Sequence, residues 1–221
     1  MKLAILGSTG FVGTVLLQKA LTQGHQIKAL ARSPEKLGSL KNCMEVVHGD
    51  MFDPVVLASL VSGVDAVISV AGPRSARSEG KFDSDHHASY VKLLVDAMKG
   101  AKVDRLITIA GVVAKVPGQR LGFKQSLARF LLGSFVMPDV IKTKDIELKI
   151  IAESGLNWTV LRPPLMTTGK ATGNVAASEK DMALAKIDVE DITDFILSLL
   201  ITHEWDRKAP IVSSQKHVGG R

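Results

Sequence analysis

The chain has 221 residues, of which 46% are hydrophobic and only 5% aromatic, and its formal net charge at pH 7 is +6. This length excludes two substantial domains, so we predict one α/β domain over residues 1–221. The Lys and Arg residues are scattered, without blocks of like charge or interleaved aromatic residues, and this argues against nucleic acid as a partner.

The cellular location is predicted from features that the sequence lacks. Cys43 is the single cysteine and cannot form an internal disulfide, so an oxidising compartment is not required. The first apolar run stops at Gly7, which is too early for a signal peptide. No run approaches the ~18 to 20 apolar residues of a membrane span. We therefore expect a cytoplasmic protein without a membrane span.

The first predicted strand, Lys2–Leu6, runs into Gly7, Gly10 and Gly13 and then into a helical pattern. Backbone N–H groups at the N-terminus of such a helix favour an anion, and a pyrophosphate fits there. Glycines at this spacing permit a tight turn, close approach of a ligand and close packing of the helix. An ordinary strand-helix connection is the alternative. The predicted dinucleotide-binding residues of this turn are Gly7, Ser8, Thr9, Gly10, Phe11, Val12 and Gly13.

The second predicted strand, Gln26–Ala31, ends at Arg32, which is followed by Ser33. NAD enzymes usually carry an acid at this strand end, whereas an arginine accommodates the 2′-phosphate of NADP. Lys36 adds a further cation nearby. Arg32 and Ser33 therefore predict that NADP(H) is preferred over NAD(H), with an exposed loop arginine as the alternative.

The third predicted strand, Met44–His48, is followed by Gly49, Asp50 and Met51. The Asp50 carboxylate could accept a hydrogen bond from the adenine amino group, with Met51 or Phe52 against the ring, so we include all three of Gly49, Asp50 and Met51 among the cofactor-binding residues. Asp53, in contrast, is predicted to cap the helix that begins at Pro54.

Three further strands are predicted at Ala66–Val70, Arg105–Ile109 and Trp158–Leu161, with helical stretches between them. This alternation predicts a doubly wound parallel sheet, a Rossmann fold, whose ligands lie outside the carboxyl ends of the strands. Further cofactor-binding candidates at those ends are Ala71, Gly72, Pro73 and Pro163.

Two later segments differ from the nucleotide-binding half. Residues from about 112 to 141 contain Phe123, Phe130 and Phe135 among leucines and basic residues, and we predict that they cover the cleft. A helix packed on the domain is an equal alternative, and a membrane-surface helix is a distant third. C-terminal elements are predicted at about residues 163–214, including a core helix capped by Asp188.

Together, several segments resemble the atypical short-chain dehydrogenase/reductase superfamily, and in particular its NAD(P)H-binding branch with the flavin/biliverdin-IXβ reductase-like and NmrA-like proteins. The resemblance implies a Rossmann domain with a small C-terminal substrate-binding region. The matching segments are Gly7–Gly13, Gly24–Arg32, Gly49–Asp50, Ser154–Pro163 and Asp188–Val189.

The catalytic residues of the wider superfamily are a Tyr-x-x-x-Lys pair and a serine at the end of the fifth strand. The only tyrosine, Tyr90, has Leu94 four residues later, and the serine position falls on Ala110-Gly111. Lys144, or Lys142, is a weak counterpart of the family lysine and could hold the nicotinamide ribose, although a surface helix lysine is the alternative. The catalytic residues otherwise remain unassigned.

These observations predict an NADPH-dependent oxidoreductase that transfers a hydride to a conjugated small-molecule acceptor such as a flavin, a quinone or a tetrapyrrole. The alternative is a non-catalytic NADP(H)-binding redox sensor of the NmrA type. A homodimer is an option. Asp83, Asp85, His86 and His87 carry metal-ligand side chains without a second cluster to close a site, so no metal is predicted.

Overall fold

A computed structural model describes residues 1–72, 84–118, 122–123, 126–127, 129–130, 138–169, 171–180 and 185–214, with only the backbone of His87. Six parallel strands form the central sheet, in the spatial order β3-β2-β1-β4-β5-β6. The strand order reverses between β1 and β4, and such a switch point opens a crevice at the carboxyl edge of the sheet. The strands are β1 (Lys2–Leu6), β2 (Gln26–Ala31), β3 (Glu45–His48), β4 (Ala66–Ser69), β5 (Arg105–Ile109) and β6 (Asn157–Leu161).

Helices cover both faces of this sheet, because successive side chains of each buried strand point to opposite faces. In β1, Ala4 and Leu6 belong to the core beneath one layer of helices, whereas Leu3 and Ile5 belong to the core beneath the other. The first layer contains α2 (Pro54–Val61), α3 (Ser84–Gly100) and α4 (Pro138–Glu153), and the second contains α1 (Phe11–Thr22) and α5 (Val189–Ser198).

Two predicted helix caps are present. The Asp53 carboxylate accepts hydrogen bonds from the backbone N–H groups of Val55 and Val56 at the start of α2. Asp188 accepts from the N–H of Glu190 at the start of α5. A kinked 3₁₀ segment, Pro34–Cys43, connects β2 to β3.

The C-terminal part adds two small sheets beside the main one. They pair β8 (Val175–Ser178) with β10 (Ile211–Ser214) and β7 (Leu165–Thr167) with β9 (Lys186–Asp188). The buried Asp191 carboxylate connects this region by accepting from the N–H groups of Thr172 and Gly173 and from the hydroxyl of Ser214. Asp191 lies in the first turn of α5, but its carboxylate accepts these bonds and does not cap the helix.

The predicted fold class is confirmed, with strand boundaries that shift by one residue at three places. Met44 lies outside β3, Val70 lies beyond β4, and Asn157 joins β6. Much of the segment from 112 to 141 lies outside the described residues, including Phe135. Among its described residues, Phe123 and Phe130 are exposed. None of the helices in the described ranges combines the length and the apolar character that a bilayer crossing needs.

Candidate functional site

A groove of about 580 Å³ lies outside the carboxyl ends of β1, β2 and β4, at the switch point of the sheet. The turn after β1 forms its floor, the end of β2 and the loop that follows form one wall, and the end of β4 forms the other. The lining residues are Gly7, Ser8, Thr9, Gly10, Leu30, Ala31, Arg32, Ser33, Lys36, Met51, Val70, Ala71 and Gly72.

The turn after β1 is compact because three segments of backbone meet there. Gly7 has a φ of +80°, and a Cβ on it would lie 2.6 Å from the backbone nitrogen of Ala71. A Cβ on Gly13 would lie only 2.0 Å from the carbonyl oxygen of Gly7. Glycine is therefore needed at both positions because the backbone approaches closely, and Gly7 also adopts a left-handed conformation that favours glycine.

Helix α1 begins beside this groove, because its N-cap residue lines it. Gly10 is the N-cap residue, without a side-chain capping bond, and the first turn of α1 carries no acidic residue. The first N–H groups of a helix lack partners inside the helix and carry partial positive charge. An anionic group of a ligand in the groove can satisfy them, as the glycine spacing predicts.

The Ser8 side chain contributes to the fold of the turn. Its hydroxyl is buried and donates a 2.6 Å hydrogen bond to the carbonyl oxygen of Leu30 in β2. The hydroxyl proton of Ser8 is therefore engaged within the fold and not directed to a ligand.

Cationic side chains line the β2 side of the groove. Arg32 and Lys36 are both exposed and both line it, with Ser33 between them. Arg32 Nη1 lies 3.7 Å from Oδ2 of Asp50, and Oδ1 of Asp50 accepts a 3.1 Å hydrogen bond from the N–H of Phe52. The structure thus directs the Asp50 carboxylate towards Arg32, and a contact with adenine stays a prediction.

Several predicted cofactor-binding residues do not line the groove. Val12 and Gly13 are buried on the inner side of α1, Pro163 is buried beyond β6, and Gly49 packs closely against Val56. Phe11 is half-exposed at the first position of α1 and is not part of the groove lining. Pro73 lies outside the described residues.

The groove also contains residues that the sequence did not single out as ligand contacts. Leu30, Ala31 and Val70 line it because they stand at the carboxyl ends of β2 and β4. The rule that ligands bind beyond the carboxyl ends of parallel strands could have identified them. Lys36, which the sequence indicated as a second cation near Arg32, also lines the groove.

Lys144 is buried, in contrast to the alternative of a surface helix lysine. Its Nζ lies 2.7 Å from Oε2 of Glu147, and the two side chains are only 10% and 6% exposed. Tyr90 is also buried, and burial together with the nearby Glu147 carboxylate raises the pKa of its phenol. The Glu147 carboxylate is thus near both Lys144 and Tyr90, although the sequence contains no Tyr-x-x-x-Lys pair.

The group of acidic and histidine residues at the start of α3 is only partly described, because Asp83 and the side chain of His87 lie outside the described residues. The ring of His86 stacks on Phe52 with centroids 4.5 Å apart. Within the described ranges, no group of three or more His, Cys, Asp or Glu side chains is arranged to hold a metal ion.

The chain is similar to known proteins over most of its length. A family model described as NAD(P)H-binding matches residues 7–203. The photosystem II assembly factor Ycf39 of Cyanophora paradoxa is 22% identical over 227 residues, covering 97% of this chain and 64% of that protein. The chain thus spans slightly less than two thirds of the length of this relative.

Solved structures match over nearly the whole chain. The oxidoreductase ylbE from Lactococcus lactis superposes with a TM-score of 0.78 at 26% identity, covering 98% of this chain and 92% of that one. ChuY, an anaerobillin reductase from Escherichia coli O157:H7, superposes with a TM-score of 0.79 at 17% identity, covering 100% of both chains. The second likeness shows the fold alone.

Proposed function

The chain belongs to this NAD(P)H-binding family, and we propose that it is an NADPH-dependent oxidoreductase that transfers a hydride to a conjugated small-molecule acceptor. The resemblance to atypical short-chain dehydrogenases/reductases is confirmed by the family match and by the fold. The preference for NADPH and the class of acceptor are our proposals, and both are argued from the residues of this chain.

The observation that carries the proposal is the arrangement of charge along the groove. The uncapped start of α1 lies beside one part of it, and Arg32 and Lys36 line the β2 side. A pyrophosphate at the helix N-terminus places the adenosine ribose near the end of β2. The 2′-phosphate that distinguishes NADPH from NADH would then meet two cations and form charge-assisted hydrogen bonds.

The choice of acceptor depends on which groups of the protein can donate a proton during the reduction. The bound cofactor supplies a hydride. Reduction of an isolated carbonyl also needs a proton donor beside the developing alkoxide. Tyr90 is buried, and its raised pKa makes the phenol a weaker acid than an ordinary tyrosine and therefore a poor proton donor. A flavin, a quinone or a tetrapyrrole spreads the added charge over its conjugated system, so water can supply the proton.

Exposed apolar side chains support a flat acceptor. Phe123, Leu127 and Phe130 follow β5 and are exposed, and Leu165 is exposed just beyond β6. Both segments start from the carboxyl edge of the sheet, where ligands of doubly wound folds bind. Apolar groups there would bury surface against the face of a conjugated ring.

The test is a turnover assay with separate acceptors. We expect the purified protein to oxidise NADPH at least about tenfold more efficiently than NADH, since one charge-assisted bond is worth ~1.5 to 3 kcal/mol. FMN, menadione and biliverdin serve as acceptors, and loss of nicotinamide absorbance is followed. Equal efficiency with NADH would overturn the cofactor preference.

A second candidate function is a non-catalytic NADP(H)-binding sensor. The observation that favours it is the missing catalytic pair, since Val140 stands four residues before Lys144. This reading predicts tight NADPH binding, measured by calorimetry, without oxidation by any of the three acceptors. Turnover with any of them would exclude it.

A further inference from the structure

A buried ion pair on α4 is not explained by the fold alone. Lys144 and Glu147 are three residues apart, so their side chains share one face of the helix. Removing two charges from water costs several kcal/mol per ion, and an ion pair offsets this cost only when further hydrogen bonds complete it. Within the described residues, Lys144 Nζ makes a single hydrogen bond, to Glu147, although an ammonium group has three donors.

Lys144 lies in the first half of α4, the half nearer the carboxyl edge of the sheet, and Glu147 follows three residues later, near the middle of the helix. Helices that connect parallel strands run back from that edge, so α3 and α4 both begin there. The hydroxyl of Ser84, in the first turn of α3, donates a 3.1 Å hydrogen bond to the carbonyl oxygen of Asp139, in the first turn of α4. The two helices therefore start side by side. Tyr90 follows Ser84 by six residues and Lys144 follows Asp139 by five, so both lie at a similar distance from the starts of their helices.

A second buried polar group lies at the end of β4, directly before the residues of the β4 wall. The Ser69 hydroxyl, at the end of β4, is buried beside the Tyr90 phenol and has no hydrogen-bond partner of standard geometry in the described part of the chain. The next residues along the chain, Val70 to Gly72, line the groove. Polar side chains from β4, α3 and α4 thus converge next to the β4 wall.

The direction of a bound dinucleotide connects these observations. Arg32 and Lys36 assign the adenosine half to the β2 side of the Gly7–Gly10 turn. The pyrophosphate crosses that turn at the switch point, so the nicotinamide half must extend the other way, towards β4 and β5. Because α4 connects β5 to β6, Lys144 and Glu147 stand on that side.

We propose that Glu147 is a positioning residue that holds the Lys144 ammonium group in place to donate to the hydroxyls of the nicotinamide ribose. This inference rests on the proposed function, because it requires NADPH in the groove. Lys144 has four rotatable side-chain bonds, and one bond to Glu147 restricts them before the ligand arrives. Two N–H donors stay available, so less conformational freedom is lost on binding.

The test compares the whole cofactor with its adenosine half. NADPH and adenosine 2′,5′-bisphosphate are titrated calorimetrically into the wild-type protein and Glu147→Gln. We expect Glu147→Gln to weaken NADPH binding about fivefold to tenfold, the scale of one hydrogen bond, and to leave the bisphosphate within about twofold. Glu153→Gln, an exposed acid on the same helix, is the matched control and should change neither affinity.

A second variant addresses folding, because Glu147→Gln leaves a buried ammonium group without its carboxylate. Lys144→Met/Glu147→Leu removes both charges and should fold normally while retaining the selective loss of NADPH affinity. Lys144→Met alone should show the same loss, and adding Glu147→Gln to it should cause no further loss.

The outcomes separate this inference from the proposed function. Equal weakening of NADPH and the bisphosphate would indicate a purely structural ion pair and overturn the inference, as would unchanged NADPH binding by the folded variants. Neither result bears on whether the wild-type protein turns over, which the acceptor assay decides. Wild-type protein that binds no NADPH would overturn both proposals.

Discussion

The two ends of the groove are built in different ways. The adenosine end uses backbone amides and exposed cations, and all its residues lie on the turn after β1 and the loops after β2 and β3. Beside its other end, behind the β4 wall, buried side chains come from β4, α3 and α4, separated by up to 78 positions between Ser69 and Glu147. In our proposal, the first end selects the ligand and the second holds its nicotinamide ribose.

The largest effect should come from filling the adenosine end. We expect Gly10→Val to weaken the binding of NADPH and of adenosine 2′,5′-bisphosphate by about 100-fold or more, because a β-branched side chain would occupy the proposed phosphate position. The fold should survive, since Gly10 has an ordinary φ of −85°. Calorimetry and thermal melting measure both effects. Gly100→Val, at a glycine with open space around it, is the control. Normal binding would place the pyrophosphate elsewhere.

Reversing one charge tests the adenosine end more selectively. Arg32→Asp should weaken NADPH binding by ~1.5 to 3 kcal/mol, roughly one to two decades in Kd, because it removes a charge-assisted hydrogen bond. NADH binding should be retained or improved, since the new carboxylate can accept from the ribose hydroxyl. Titrations of both cofactors give the ratio. Lys41→Asp makes the same charge change on an exposed residue outside the groove lining and should leave the ratio unchanged. Equal wild-type affinities for the two cofactors would contradict this assignment.

A substitution of Asp50 should change the NADPH to NADH affinity ratio by a smaller amount. Its carboxylate lies 3.7 Å from Arg32, where it would repel a 2′-phosphate bound to that guanidinium group. Exposed pairs of this kind are worth about 0.2 to 1 kcal/mol, so Asp50→Asn should raise the NADPH to NADH affinity ratio only a few-fold. A lower ratio would show instead that Asp50 is needed to orient Arg32.

The smallest effect is expected at the other end of the groove. Tyr90→Phe should change kcat for NADPH oxidation by less than about threefold, because a phenol with a raised pKa does not release its proton readily. The assay uses a flavin and a quinone in turn. A loss of ~100-fold or more, the scale of a deleted general acid, would make Tyr90 the proton donor.

The contrast between the two ends also explains what the sequence could predict. Strand boundaries, the Gly7–Gly13 turn and the position of Arg32 follow from local patterns, since each depends on residues that are near neighbours in the chain. The approach of Glu147 to Tyr90 and the bond between Ser84 and Asp139 depend on how α3 packs against α4. Local spacing carries no information on such contacts, so Lys144 could equally be read as a surface residue.

The direction of individual side chains likewise could not be predicted from the sequence. Asp50 follows a strand, but the sequence does not show that its oxygens face the N–H of Phe52 and the guanidinium group of Arg32. Pro163 follows a strand as well, but β6 lies two strands beyond the β4 wall of the groove. Strand order, together with strand ends, therefore decides which loops line the groove.

The hydrogen bond from Ser8 to Leu30 has a consequence for the kinetics of ligand capture. It fastens the turn after β1 to β2, so the amides that receive an anion are arranged before any ligand arrives. Such a rigid receptor gives association that is limited by diffusion and orientation rather than by loop closure. Differences in affinity among related ligands should therefore appear chiefly in their dissociation rates.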